Sequence, residues 1–290
     1  MSHSSKGFIY ATTGEQYTIL ARRSARNLRA VMPDAQIDLF TDQSVDDPVF
    51  NQIHRLKDSW FRPRMQALSH SRFYRTIVLD ADLIVVGDIA ELFDAVDRCD
   101  LAASISTGRP PLMYRSQPEI PRNFPYVNAG MMVVKRTRRM MSLLLEWDHM
   151  MRANGLRKDQ PALRWLLFHR RVPFQVLAQE YNLVNLDLLR MWEPHYGAPR
   201  VLHVQALHKS PPGDPNTPFE LESVLGPDQL AAILNRQAAE VKQAADVPSG
   251  KANPTGRPPS RRARLRLLIL ASRRHYGHMF QHLLANLKGR

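Results

Sequence analysis

The sequence predicts an α/β fold, a mostly parallel sheet flanked by helices, followed by a basic C-terminal helix. Three observations predict it. Short runs of β-branched and large apolar residues alternate with stretches of helical periodicity. Residues 77 to 86 read as a buried strand that ends at two carboxylates, Asp80 and Asp82, with Gly87-Asp88 closing the segment. An apolar content of 44% over 290 residues suffices for a large core.

The elements follow in order. Residues 7 to 11 read as a first strand, and Thr12-Thr13-Gly14 as its turn. Residues 15 to 31 repeat apolar side chains at helical spacing (Tyr17, Leu20, Ala21, Ala25, Leu28, Val31) and close at Pro33-Asp34. Residues 37 to 41 form a second strand, and 53 to 56 a short third. A helix over 64 to 71 leads into the strand ending at Asp80. A short helix over 89 to 95 and a strand over 101 to 105 come next. The Pro- and Arg-rich stretch 107 to 125 reads as a long loop, of a length usually functional or mobile. Residues 126 to 134 are strand-like, 138 to 153 helical, and Asp159-Gln160-Pro161 opens another helix, with Asp159 a candidate N-cap. Residues 201 to 204 form a late short strand, and 211 to 218 an irregular loop.

The net charge of +13 is unevenly spread. Residues 247 to 290 hold ten Lys and Arg and no Asp or Glu, which leaves 30 basic against 27 acidic residues in 1 to 246. Residues 247 to 260 have a linker composition. Beyond them Leu265, Leu268, Ser272, Tyr276, Met279, Leu283 and Leu287 share one helical face, with Arg262, Arg266, Arg273 and Arg274 largely off it. The domain reading is therefore a body over 1–246, a linker over 247–260 and a basic amphipathic helix over 261–290. That helix suits an anionic membrane surface; the competing readings are a helix packed on the body or one that binds a partner. Nucleic-acid binding is disfavoured, because the body is nearly neutral and no reading motif is present. One cysteine, Cys99, excludes an intrachain disulfide or a cysteine metal site. No transmembrane run and no signal peptide are read, so the expected setting is cytoplasmic, peripheral on the inner face of the membrane.

Ionised carboxylates are costly to bury unless paired, and ligands bind at the carboxyl ends of strands in open α/β sheets. Asp80 and Asp82 therefore suggest hard oxygen ligands for a divalent cation shared with a phosphate-bearing substrate. The competing reading is a pair of acids that cap a helix or bind an Arg.

The segment from Thr76 to Phe93, with Asp80-Ala81-Asp82 at its centre, resembles the metal-binding D-x-D motif of GT-A glycosyltransferases, and the longer pattern is similar to glycosyltransferase family eight. Asn128-Ala129-Gly130 looks like its N-A-G strand, Asp159-Gln160 like its D-Q element, and His203 with Lys209 matches its late H-x5-K spacing. The resemblance covers roughly residues 7 to 210. Ala206 replaces a glycine of the late segment, Ser210 stands where proline is common, and Pro161 replaces the acid that often follows D-Q.

The resemblance implies a metal-dependent transfer of sugar from a nucleotide-sugar, a UDP-sugar, to a glycan or lipid-linked acceptor, with retention of anomeric configuration. It implies Asp80, Asp82 and His203 as ligands of Mn²⁺, or Mg²⁺. Lys209 would meet the diphosphate. Arg62 and Arg64 would contact nucleotide or phosphate; Ala11, Thr12 and Thr13 the base and ribose; Ala81 completes the D-x-D. Asn128, Asp159 and Gln160 would hold the sugars, with Gln160 beside the anomeric carbon. An inverting enzyme would need a carboxylate base, for which Glu180, Asp187 and Glu193 are available. A non-catalytic binder of nucleotide-sugar or nucleic acid is the remaining alternative. A sugar-1-phosphate nucleotidyltransferase is disfavoured, because Thr12-Thr13-Gly14-Glu15 lacks a Gly-rich signature.

Overall fold

A computed structural model describes residues 5–58, 60–106, 108, 116–193 and 196–246. The expected loop 107–125 lies partly outside these residues; the expected linker 247–260 and basic helix 261–290 lie wholly outside them. The described residues group into two units. Residues 5–191 and 199–230 make the first, and 192–198 with 231–246 the second.

The first unit is built on a seven-stranded sheet ordered β3-β2-β1-β4-β7-β6-β8. Its strands are β1 (Lys6–Thr12), β2 (Ile37–Thr41), β3 (Gln52–Arg55), β4 (Arg75–Leu79), β6 (Leu101–Ile105), β7 (Val127–Lys135) and β8 (Phe174–Leu177). All run parallel except β7, which lies antiparallel between β4 and β6. β8 is the strand that sequence patterning does not show. It is a four-residue edge strand with Gln175 and Val176 exposed, so it lacks the apolar alternation of a half-buried strand.

The central strands bury both faces. Phe8, Ile9 and Tyr10 are each at most 1% exposed, which is why β1 reads as a continuous apolar run. One face, carrying Ile9, Val78, Met132 and Val134, packs on α2 (Arg64–His70), α3 (Arg138–Ala153) and α4 (Gln160–His169). Met65, Leu68, Leu143, Leu144 and the fully buried Trp147 fill that layer. Each such side chain contributes about 1.5–3 kcal/mol on burial. On the other face Phe8 meets Phe93 edge-on at 5.2 Å, and Tyr10 hydrogen-bonds Ser24 of α1 (Glu15–Val31). Gly14 begins α1 with φ +85°, a conformation L side chains rarely adopt, and its N–H donates to Asp42 at 2.8 Å.

β4 ends at Leu79, next to the acids. The chain then turns through 80–82, with Leu83 N–H donating to Asp80 O, and residues 83–85 form a separate strand. This β5 (Leu83–Val85) pairs antiparallel with β9 (Val201–His203) in a two-stranded ribbon. Short 3₁₀ turns cover Ala90–Val96 and Gln205–Lys209. Two further helices are α5 (Leu221–Val224) and α6 (Pro227–Asp246), the latter running from the first unit into the second. Within the second unit Trp192 Nε1 donates to Gly197 O at 2.8 Å, and the side chains of Glu240 and Arg236 bond the Ala198 N–H and the Tyr196 carbonyl. Among the described residues no helix is long and apolar enough to cross a membrane.

Candidate functional site

Asp80, Ala81 and Asp82 form the turn between β4 and β5, at the carboxyl end of a parallel strand. Backbone bonds pin the turn from two sides. Asp80 N–H donates to Gly130 O at 2.8 Å, and Val204 N–H to Asp82 O at 2.9 Å. The β5–β9 register sets Leu83 opposite His203 and so carries the imidazole beside Asp82. Asp80, Asp82 and His203 each offer a ligand atom, and those atoms lie within 4.8 Å of one another.

The two acids have different surroundings. Asp80 is clamped by Arg64, whose Nη2 reaches both carboxylate oxygens at 2.7 and 2.9 Å. The same buried guanidinium bonds the Ala129 carbonyl through Nη1 and stands with Nε 3.2 Å from Asp159 Oδ2. Asp82 is only 1% exposed, and neither of its carboxylate oxygens has a hydrogen-bond donor. Its Oδ2 instead faces two ring nitrogens, His208 Nε2 at 2.8 Å and His203 Nε2 at 3.3 Å.

The tautomer of His203 follows from a chain that starts at the backbone. Gly130 N–H donates to Asn128 Oδ1 at 2.7 Å, so that atom is an acceptor. Asn182 must then present its amide nitrogen to it, at 3.1 Å, which turns Asn182 Oδ1 toward His203 Nδ1 at 3.0 Å. Nδ1 therefore carries the proton. In neutral His203 the Nε2 is then an acceptor 3.3 Å from Asp82 Oδ2, a contact that either a proton on Nε2 or a bound cation reconciles. Gly130 makes room for this: a Cβ there would stand 2.5 Å from His203 Cε1.

The ionisation of these groups is correspondingly shifted. Burial raises the Asp80 carboxyl above the ordinary range despite Arg64. Burial also opposes the charge of Asp82, but His203 and His208 outweigh it and hold that carboxyl well below the usual value. Asp82 in turn raises His203 against burial and raises His208. Burial lowers Arg64, while Asp80 and Asp159 more than restore it. Asp80, Asp82 and His203 could together hold a divalent cation.

Of the residues picked out in the sequence, the fold brings Asp80, Asp82, His203, Arg64, Asp159 and Asn128 into one contact network. Arg64 is neither a solvated helix start nor free for a nucleotide; it is the buried partner of two acids. Asp159 stands at the N-cap position of α4 but makes no side-chain cap, because its carboxylate faces Arg64. Asn128 has its amide oxygen engaged inside the protein, so that oxygen is not free for a sugar. Gln160 is the first residue of α4 and partly exposed.

The remaining residues stand apart from this network. Ala11 is partly buried, and Ala81 buried. Thr12 Oγ1 pairs with Thr18 Oγ1 at 3.0 Å, and Thr13 Oγ1 donates to Trp60 O at 2.7 Å, so both hydroxyls serve the fold. Arg62 donates to the Arg157 carbonyl. Lys209 is exposed at the end of the 3₁₀ turn. His208 has no role in the sequence reading. Its signal was its place on a short turn five residues after His203, which sets both rings at one carboxylate.

No family model matches the sequence, and no curated protein matches it. Solved structures do. The galactosyltransferase LgtC, in complex with donor and acceptor sugar analogs, superposes with a TM-score of 0.50 at 14% identity, over 68% of this chain and 86% of that one. The glycosyltransferase GlyE from Streptococcus pneumoniae TIGR4 gives 0.53 at 17% identity, over 81% of this chain. Its apo form gives 0.55 at 17%, over 82%. The match spans 64% of the GlyE chain, slightly less than two thirds of its length. The fold is therefore the GT-A type, a mixed α/β sheet flanked by helices.

Proposed function

We propose that this chain is a metal-dependent glycosyltransferase. It moves a sugar from a nucleotide-sugar, a UDP-sugar, to a glycan or lipid-linked acceptor with retention. The observation that carries the reading is Asp82: buried at the carboxyl end of a parallel strand, with neither oxygen hydrogen-bonded and with His203 Nε2 3.3 Å from Oδ2. The GT-A fold and the nature of its structural neighbours support the same reading.

Asp82, His203 and Asp80 would hold Mn²⁺, or Mg²⁺ as second choice. When bound, the cation supplies Lewis-acid stabilisation to a leaving diphosphate. The chain's own residues do the rest. Asn182 and Asn128 hold the His203 ring. Arg64 neutralises Asp80 and Asp159 and so keeps the floor of the site compact. Lys209 adds an exposed positive charge for the diphosphate. Gln160, adjoining Asp159, presents its amide to the donor sugar near the anomeric carbon. In a retaining transfer the acceptor hydroxyl attacks on the leaving-group face. Its oxygen bonds the anomeric carbon while the bond from that carbon to the phosphate oxygen breaks, and its proton passes to that phosphate oxygen. The basic segment 247–290 would keep the enzyme on an anionic membrane face, near lipid-linked acceptors.

The test is thermal stability with a panel of nucleotides and nucleotide-sugars, with and without Mn²⁺. A ligand at 100 times its dissociation constant stabilises by about 2.7 kcal/mol. Stabilisation by UDP or a UDP-sugar only with metal present is expected. A metal-dependent shift with a different nucleotide would replace the donor, and no shift with any would overturn the transferase.

A further inference from the structure

His208 stands where the transferase reading has no use for it, yet it is nearer to Asp82 than His203 is. Its Nε2 lies 2.8 Å from Asp82 Oδ2, and His203 Nε2 lies 3.3 Å from the same atom. Two ring nitrogens thus converge on one buried carboxylate oxygen that no other side chain or backbone N–H reaches. The ring of His208 is held in place. Tyr17 lies against it at 5.1 Å between centroids, and Gln16 Nε2 donates to the His208 carbonyl at 3.0 Å. Its second ring nitrogen, Nδ1, is buried and also lacks a partner. Asp80 is placed differently, with both oxygens already accepting from Arg64.

We propose that His208 is a direct ligand of the cation, so that the centre consists of Asp82, His203 and His208, with Asp80 a weaker, Arg64-bound contributor. This rests on the metal-dependent reading above and sharpens it. Two imidazoles and one carboxylate form a nitrogen-rich donor set. Such a set favours Mn²⁺, Co²⁺ or Zn²⁺ over Mg²⁺, whose preferred ligands are oxygen.

The experiment uses the metal-free full chain and metal alone as probe. Mn²⁺ and Mg²⁺ affinities are measured by titration calorimetry for wild type, His208→Ala, His208→Gln, His203→Ala and Asp82→Asn. Pulsed electron paramagnetic resonance of bound Mn²⁺ counts the coupled imidazole nitrogens. The expected result is two coupled imidazoles in wild type and one in His208→Ala. Mn²⁺ affinity should fall about tenfold or more in His208→Ala, with little change for Mg²⁺. Glutamine should not rescue it, because an amide can replace a hydrogen bond but not a ligating ring.

One coupled imidazole in the wild-type chain would overturn the proposal, and that measurement needs no variant to fold. Wild-type affinity in His208→Ala or His208→Gln, with binding lost in Asp82→Asn, would overturn it while leaving the cation site standing. Binding unaffected by Asp82→Asn and His203→Ala, or absent from wild type, would overturn both readings.

Discussion

Gly130 is the floor on which His203 rests: its missing side chain leaves room for the imidazole, and a Cβ would stand 2.5 Å from Cε1 and 3.0 Å from Nδ1. These atoms belong to a ring anchored on β9 and to Asn182, so they do not swing away freely. Gly130→Ala should therefore displace the ring and leave the sheet intact. We expect a loss of Mn²⁺ affinity of about tenfold or more and far-ultraviolet circular dichroism close to wild type. Unchanged affinity would show that the ring has another resting place.

Asn182 holds His203 without offering it any charge. Asn182→Leu removes the acceptor for Nδ1–H and the donor to Asn128 together. Metal affinity should drop by about 10–100-fold, the usual effect of losing a residue that orients a ligating histidine. Asn128→Ala, one step further out, should cost less. Calorimetry on both variants checks the order.

Arg64 holds two acids inside the protein. Arg64→Met leaves Asp80 and Asp159 without their guanidinium and should destabilise the metal-free chain by about 3–5 kcal/mol, because breaking a buried pair strands charge. Saturating Mn²⁺ should recover part of that loss by supplying positive charge nearby. Equal destabilisation with and without metal in denaturant titrations would count against a cation at this site.

Asp47 gives the fold an acid-sensitive joint away from the site. Its buried carboxylate accepts hydrogen bonds from Arg22, Arg26 and the Val49 N–H. Burial alone would raise its pKa, but these bonds bring it below the ordinary aspartate value. A carboxylate depressed in the folded state contributes stability that is full above the unfolded pKa, about 3.9. That contribution fades as pH falls toward the folded value. Asp47→Asn should cost about 1.5–3 kcal/mol near neutral pH, and the gap to wild type should narrow below about pH 4. A gap constant from pH 7 to pH 3 would contradict this.

The basic segment 247–290 lies outside the described residues, so its prediction rests on sequence alone. Replacing Arg262, Arg266, Arg273 and Arg274 with Glu should abolish sedimentation with anionic lipid vesicles. Each cation near such a surface is worth about 1 kcal/mol. Thermal stability of the body should not change. Retained binding by the variant, or no binding by wild type, would remove the membrane role.

Much of the fold could be read from the chain because its signals are local. The helix over Glu15–Val31 and the strand over Ile37–Thr41 carry their periodicity within a few turns or residues, and the structure reproduces their bounds. Strand direction is not local: nothing within residues 127–135 says that β7 runs against its neighbours. β8 escaped because an exposed edge strand needs no apolar alternation. In the site, the grouping of Asp80 and Asp82 with His203 came from the resemblance to glycosyltransferase family eight. The capture of Asp80 by Arg64 is a contact between separate elements, and no sequence spacing encodes it. Of the two readings of the acids, the arginine partner is seen at Asp80, which Arg64 clamps, whereas Asp82 faces His203 and His208. His208 went unread because a histidine on a turn has no periodicity to betray its target.

The β5–β9 ribbon joins Asp82 to a partner at position 203, far along the chain. During synthesis the strands from β1 to β7 can be complete once Lys135 has emerged, since domains form from the N-terminal side. At that stage Asp82 has no imidazole opposite it. Only when β9 arrives do both histidines reach the carboxylate, closing a loop of more than a hundred residues. The entropy of that closure grows slowly with length. Any ion held between Asp82 and His203 would act as a late latch, fastening the last strand of the first unit to a sheet that had already formed.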